Sequence, residues 1–199
     1  MSGLEGFRLL VTGGGSGIGR AIVLGASAAG CRVAIADLQP QGMEEVVGSA
    51  PGPGEVVAFV ADVTDAASVS RLVEGCVARL GGLDGLVNCA GILHLKPSVE
   101  VSDEEFERVL AVNLVGAFRV TRDVGRIMLA AGSGSIVEIA SLSSFGGFPG
   151  RGRLSLVRSL LCADFAGQPA ARLLFHAPPS PFSHHASTRR ATPRCGQEA

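Results

Sequence analysis

Between Thr12 and Gly19 the chain reads Thr-Gly-Gly-Gly-Ser-Gly-Ile-Gly, set between a short apolar run at residues 7–11 and the start of an amphipathic stretch. Glycine at such a junction tolerates positive φ and lets the backbone approach a ligand closely. The free N–H groups that open a helix attract an anion. Thr12, Gly13, Gly15, Ser16, Gly17, Ile18 and Gly19 therefore make a candidate cradle for a pyrophosphate. The spacing is T-G-x-x-x-G-x-G; the commoner G-x-G-x-x-G is not met, because Ile18 stands at its last glycine. Asp37 follows eighteen residues after Gly19 at the end of a second apolar run. A carboxylate there can accept hydrogen bonds from both ribose hydroxyls and repels a 2′-phosphate, which selects NAD over NADP.

The first 150 residues alternate short apolar runs with helical periodicity. Strands are expected at residues 7–11, 32–36, 55–61 and 135–140, with a fourth in chain order starting at 85–87. Helices are expected at residues 18–29, after Asp65, and from Ser102 to about Ala131. Behind Asp65, the residues Val69, Leu72, Val73, Cys76, Val77 and Leu80 form one apolar face. Ser102 and Glu105 have the spacing of a capping box. This alternation predicts an α/β fold, a doubly wound parallel sheet of the Rossmann-like kind.

Composition breaks near Gly150. Residues 1–150 carry 10 Lys+Arg and 16 Asp+Glu, whereas residues 151–199 carry seven Arg, no Lys and two acids. The later segment also holds three of the four histidines and half of the prolines. Residues 1–150 are thus expected to form the folded domain, incomplete at its C-terminal side. Residues 151–167 can add one helix, with Leu154, Val157 and Leu161 on its stripe, and 168–199 read as a disordered tail.

The net charge of −1 offers no general attraction to nucleic acid or an anionic membrane. No apolar stretch reaches the roughly 20 residues needed to span a bilayer, and no leader pattern opens the chain, so a cytoplasmic protein is expected. The cysteines Cys31, Cys76, Cys89, Cys162 and Cys195 share no metal-ligand spacing and read as reduced thiols.

With these motifs in order, the chain resembles the short-chain dehydrogenase/reductase family over residues 7–150. Asp62-Val63 ends the third strand, where the family sets an acid and a small apolar residue against adenine. Asn88-Cys89-Ala90-Gly91 resembles the family's N-N-A-G signature, with cysteine for the second asparagine; Asn88, Ala90 and Gly91 join the cofactor set. Val112-Asn113-Leu114 matches the family's helical asparagine, and residues 136–141 match the strand that delivers its active-site Ser141. Phe106, Val109, Leu110 and Asn113 also share one helical face, so Asn113 is a polar group on a core stripe. The resemblance implies an NAD-dependent oxidoreductase of a small alcohol or carbonyl compound, usually a homo-oligomer.

One part of that resemblance fails. The family places a tyrosine thirteen residues after its serine and a lysine four residues later. Here those positions are Leu154 and Arg158, and the chain contains no tyrosine. Losing the general acid/base costs about 10²–10⁴ in rate. His176, His184 and His185 lie in aperiodic sequence and are expected to be solvated, not held near Ser141. The expectation is an oxidoreductase by descent that is catalytically impaired. The alternatives are a non-catalytic dinucleotide-binding protein or a truncated product whose residues 151–199 come from a shifted frame or an alternative exon.

Overall fold

A computed structural model describes residues 3–93, 95–141 and 171–176. In chain order its elements are β1 (Arg8–Thr12), α1 (Gly17–Ala28), β2 (Arg32–Asp37), α2 (Pro40–Ser49), β3 (Val56–Val60), α3 (Ala66–Leu80) and β4 (Gly85–Asn88). A 3-10 turn (Ser98–Glu100) leads to α4 (Asp103–Leu110), a π-helical turn (Ala111–Gly116), α5 (Ala117–Ala131), β5 (Ser135–Ser141) and β6 (Ala171–His176). The strands form one parallel sheet in the order β3-β2-β1-β4-β5-β6.

The central strands are apolar on both faces because each face is covered. Leu10, Ala34, Ala36 and Leu86 pack with Val69, Leu72, Cys76, Val120 and Val124 from α3 and α5. Leu9, Val11, Val33 and Ile35 pack on the other side with Val23, Met43 and Val46 from α1 and α2. Each large side chain buried this way contributes about 1.5–3 kcal/mol, so both helical layers are held by strand residues of opposite parity.

Local signals set the helix ends as the sequence suggests. Asp65 accepts hydrogen bonds from Ala67 and Ser68 N–H at the start of α3, and Gly81 ends it in the left-handed region. Ser102 and Glu105 complete the reciprocal capping box at α4.

Three expectations are revised. The helical stretch from Ser102 is not uniform, since the π-helical turn at Ala111–Gly116 divides α4 from α5. Helix α2 had no counterpart in the sequence reading; Pro40 at its first turn carries the helix-start signal. The third correction is that Ala171–His176 is not part of a structureless tail but a strand, in register along β5 from Ile136↔Ala171 to Ser141↔His176. An uncovered β5 would present unpaired backbone groups, and the short run Leu173-Leu174-Phe175 is apolar enough for strand pairing. Composition averaged over proline-rich neighbours hid that run. The helix expected within 151–167 and most of the expected tail lie outside the described residues.

The strand order sets the site. From β1 the chain winds outward through β2 and β3, then returns to the other side of β1 through β4. Loops leaving the carboxyl ends of β1 and β4 therefore diverge and leave a crevice, the usual ligand position in such sheets.

Candidate functional site

The glycine turn stands at that crevice. Thr12 ends β1, Gly17 opens α1, and Ser16 is the helix N-cap with no capping hydrogen bond from its side chain. Helix α1 carries no acidic residue in its first turn, so nothing there competes for the positive end of its dipole. Ser16, Gly17 and Ile18 are exposed, whereas Gly15 and Gly19 are buried beneath them. Gly13 has φ of 66°, and a Cβ on it would lie 2.8 Å from both Cα and N of Ala90. The turn and the loop after β4 thus touch backbone to backbone, which any side chain at Gly13 would prevent.

Thr12 and Asn88 are register partners on neighbouring strands and tie that contact from below. The Thr12 hydroxyl donates to Asn88 Oδ1 at 3.1 Å and accepts from the N–H groups of Cys89 and Ala90, each at 3.2 Å. Its one proton and both lone pairs are then in use. Gly91 follows directly and is exposed at the lip of the crevice.

Asp37 closes β2 beside the turn. Its Oδ2 accepts the Gly15 N–H at 3.0 Å, and Oδ1 accepts the Gln39 N–H at 3.3 Å. The carboxylate is half-buried, and each oxygen retains acceptor capacity for a vicinal diol. The Asp37 carbonyl accepts the Ala61 N–H at 2.9 Å, which brings the end of β3 alongside. There Asp62 Oδ1 accepts from both the N–H and the hydroxyl of Thr64, at 2.8 and 2.7 Å. Val63 packs on Gly116, where a Cβ would meet Val63 Cγ2 at 2.7 Å.

Asn113 sits in the π-helical turn and is fully buried. Its Oδ1 accepts the Ile92 N–H at 2.8 Å, and its Nδ2 donates to the Ile92 carbonyl at 2.9 Å. One side-chain amide thereby replaces a strand neighbour for the loop that leaves β4. An extra residue in a helical turn re-aims the side chains it carries, and such turns recur at functional sites. Ser141 is the last residue of β5, half-buried at the carboxyl edge of the sheet. The backbone of His176 occupies the neighbouring register position, which corrects its reading as a residue of a free tail. Leu154, Arg158, His184 and His185 lie outside the described residues.

Three buried polar residues among those described were not singled out from sequence, one of them Ser27 on α1. Thr121 on α5 is 8% exposed and Glu138 on β5 is 0% exposed. A carboxylate within the otherwise apolar run Ile136-Val137-Glu138-Ile139-Ala140 was the available signal. Among the described residues there is no cluster of three or more His, Cys, Asp or Glu able to hold a metal ion. No helix among them is long and apolar enough to cross a membrane.

This arrangement fits an adenine dinucleotide: a glycine-rich turn at an uncapped helix N-terminus, a carboxylate beside it, and a serine hydroxyl at the sheet edge. A family profile described as short chain dehydrogenase matches residues 8–153. D-threitol dehydrogenase of Mycolicibacterium smegmatis is 42% identical over 139 residues, covering 69% of this chain and 54% of that protein. The 3-oxoacyl-[acyl-carrier-protein] reductase FabG of Thermotoga maritima is 38% identical over 149 residues, covering 74% of this chain and 61% of that protein. Among solved structures, NAD+-bound xylitol dehydrogenase superposes with a TM-score of 0.78 at 31% identity, covering 80% of this chain and 62% of that one. A short chain dehydrogenase from Mycobacterium smegmatis gives a TM-score of 0.80 at 30% identity, covering 87% and 77%. The chain spans 54% and 61% of the length of the two curated relatives.

Proposed function

The chain belongs to the short chain dehydrogenase family, and from that premise we propose that it holds NAD(H) in the glycine crevice and turns over alcohol or carbonyl compounds far more slowly than its intact relatives. The observation that carries this reading is the combination of an intact cradle with a chain that contains no tyrosine.

The cradle residues have separable tasks. Uncapped N–H groups at the start of α1 attract the pyrophosphate, and Gly13, Gly15 and Gly19 let the turn fold closely against Ala90, Asp37 and its own backbone. Asp37 accepts from the adenosine ribose and disfavours a 2′-phosphate through charge repulsion, which makes NAD the preferred nucleotide. Asp62 and Val63 would hold the adenine end, and the backbone at Ala90 and Gly91 would let the nucleotide approach closely. When bound, the nucleotide supplies a hydride acceptor or donor.

Ser141 offers a hydroxyl to the substrate oxygen, and Asn113 holds the loop at Ile92 that leaves β4. Proton transfer is the missing step. Leu154 carries no ionisable proton, and Arg158 is too basic to exchange one near neutral pH. Ser141 alone has a hydroxyl too weakly acidic to replace a phenol. A rate deficit of about 10²–10⁴ follows, equivalent to roughly 3–5.5 kcal/mol of barrier.

The substrate class is a small alcohol/carbonyl pair. The composition change at Gly150 favours a second reading, in which residues 151–199 come from a shifted frame and the polypeptide does not function. A thermal melt with NAD, with NADP and without either tests the first half of the proposal: NAD alone is expected to raise the midpoint. NAD-dependent oxidation of a polyol panel tests the second half. Turnover at ordinary enzymatic speed would overturn the impairment, and indifference to both nucleotides would overturn the cradle.

A further inference from the structure

Beneath the crevice lies a buried polar chain that reaches from β5 to the loop after β4. Glu138 Oε1 accepts from Asn88 Nδ2 at 2.9 Å and from the Thr121 hydroxyl at 2.7 Å. Thr121 Oγ1 at 2.8 Å and the Ala117 carbonyl at 3.2 Å also face Asn88 Nδ2, so its two protons are shared among three acceptors. Asn88 Oδ1 faces the other way and accepts from Thr12, whose oxygen in turn accepts the Cys89 and Ala90 N–H groups. Glu138 and Asn113 are fully buried, Thr12 equally so, and Asn88 is 3% exposed.

The direction of every donor along this chain depends on its acceptor end. An asparagine amide can present either its oxygen or its nitrogen to a neighbour. Three oxygens gathered on one side, from Glu138, Thr121 and Ala117, require the nitrogen there. That choice leaves Oδ1 for the Thr12 proton. Thr12 then has only lone pairs to offer the two N–H groups that shape the loop at Ala90. Reversing Asn88 would turn a donor toward the Thr12 hydroxyl and set oxygen against the Glu138 oxygen.

We propose that Glu138 is a positioning residue of the dinucleotide crevice, acting through Asn88 and Thr12 to hold the backbone of Cys89 and Ala90 against the glycine turn. The link to nucleotide affinity rests on the dinucleotide reading above; the link to loop geometry does not. Glu138 makes its contribution from inside the sheet, without touching the nucleotide. A mid-strand acid is otherwise unfavourable in this place, since a buried carboxylate is retained only where donors satisfy it.

The test uses the full chain and three substitutions. Glu138→Gln keeps an acceptor oxygen, Glu138→Asp keeps the carboxyl group but withdraws the acceptor by one methylene, and Glu138→Met removes the acceptor. Amide hydrogen exchange is read by NMR on the nucleotide-free protein. Protection at Cys89 and Ala90, relative to Leu10 and Val124, is expected to fall about tenfold in the Asp and Met variants and to stay within about twofold in the Gln variant. The dissociation constant for NAD is expected to rise about tenfold in the same two variants and not in Glu138→Gln. Unchanged protection at the two amides in a folded Asp or Met variant overturns the proposal. So does a loss spread evenly over Leu10 and Val124, or a local loss in Glu138→Gln. Should the Met variant not fold, the Asp and Gln pair decides. A wild-type chain that binds neither nucleotide defeats the dinucleotide reading alone, because the exchange comparison needs no nucleotide.

Discussion

Asp37 and Gly15 are joined at one side of the crevice: one carboxylate oxygen of Asp37 accepts the Gly15 backbone N–H at 3.0 Å. The acid that is to recognise the ribose therefore also braces the turn that is to receive the pyrophosphate. The two tasks separate on substitution. In Asp37→Asn the amide oxygen can still accept from Gly15, while the amide nitrogen cannot accept from a hydroxyl. The expected result by calorimetric titration is about a tenfold to hundredfold loss of NAD affinity with a melting temperature close to wild type. Asp37→Ala is expected to lose both affinity and stability.

Gly13→Ala is expected to destabilise the chain by about 2–4 kcal/mol in urea unfolding. Its φ of 66° is unfavourable for alanine, and the new Cβ would fall 2.8 Å from the Ala90 backbone. Gly25 has open space at the corresponding position and lies within α1. Gly25→Ala is therefore expected to be neutral or stabilising by up to about 1 kcal/mol.

Thr12→Val keeps the volume of a fully buried side chain but removes its hydroxyl. Two N–H groups and one amide oxygen then lose a partner. Each such loss costs about 1–3 kcal/mol before relaxation, and relaxation of the loop should leave a net of about 2–4 kcal/mol. Thr12→Ser, which keeps the hydroxyl, should retain most of the stability, and parallel urea curves would measure both.

At the opposite end of the sheet, the Arg8 guanidinium and backbone N–H bond Asp84. These hydrogen bonds hold the Asp84 carboxyl below its ordinary range, against the opposing effect of burial. The unfolded chain then binds a proton more readily than the folded one, so the contribution is complete above the ordinary carboxylate pKa and fades as pH falls through the depressed one. Asp84→Asn is expected to cost about 1 kcal/mol near neutrality. The gap from wild type should narrow on acidification below about pH 4. Melting curves across that range would show a constant gap if the pair were inert.

Burial pushes the Cys76 thiol up to about 12 and also raises Cys31. The thiolate is the reactive form. Iodoacetamide at about pH 8 should therefore leave both residues unmodified in the folded chain and label both in urea. Peptide mass mapping would detect native labelling, which would contradict the burial of Cys76 in α3 and of Cys31 just before β2.

Much of this architecture is legible in the amino-acid sequence, because it depends on short-range physics. Apolar runs a few residues long, the glycine junction at Thr12–Gly19 and the Ser102/Glu105 pair each act within one turn or one strand. The alternation of these units restricts the sheet to parallel, doubly wound forms. The lack of a tyrosine is likewise a property of composition, independent of folding.

Other features depended on partners distant in the chain. Glu138 meets Asn88 fifty residues away, and Asn113 meets Ile92 twenty-one residues away. No local periodicity encodes either pairing. The π-helical turn is an accommodation that lets Asn113 reach Ile92 while α5 keeps Val120 and Val124 in the core. Strand β6 exists through its ladder with β5, so its neighbours in sequence gave the wrong impression of it. Amino-acid order alone settled the family's framework and the want of a phenolic proton donor, since both are written in residue types and short spacings. Only the packed sheet decided which polar groups are buried together, because desolvation makes each buried donor and acceptor depend on a partner brought from elsewhere in the chain.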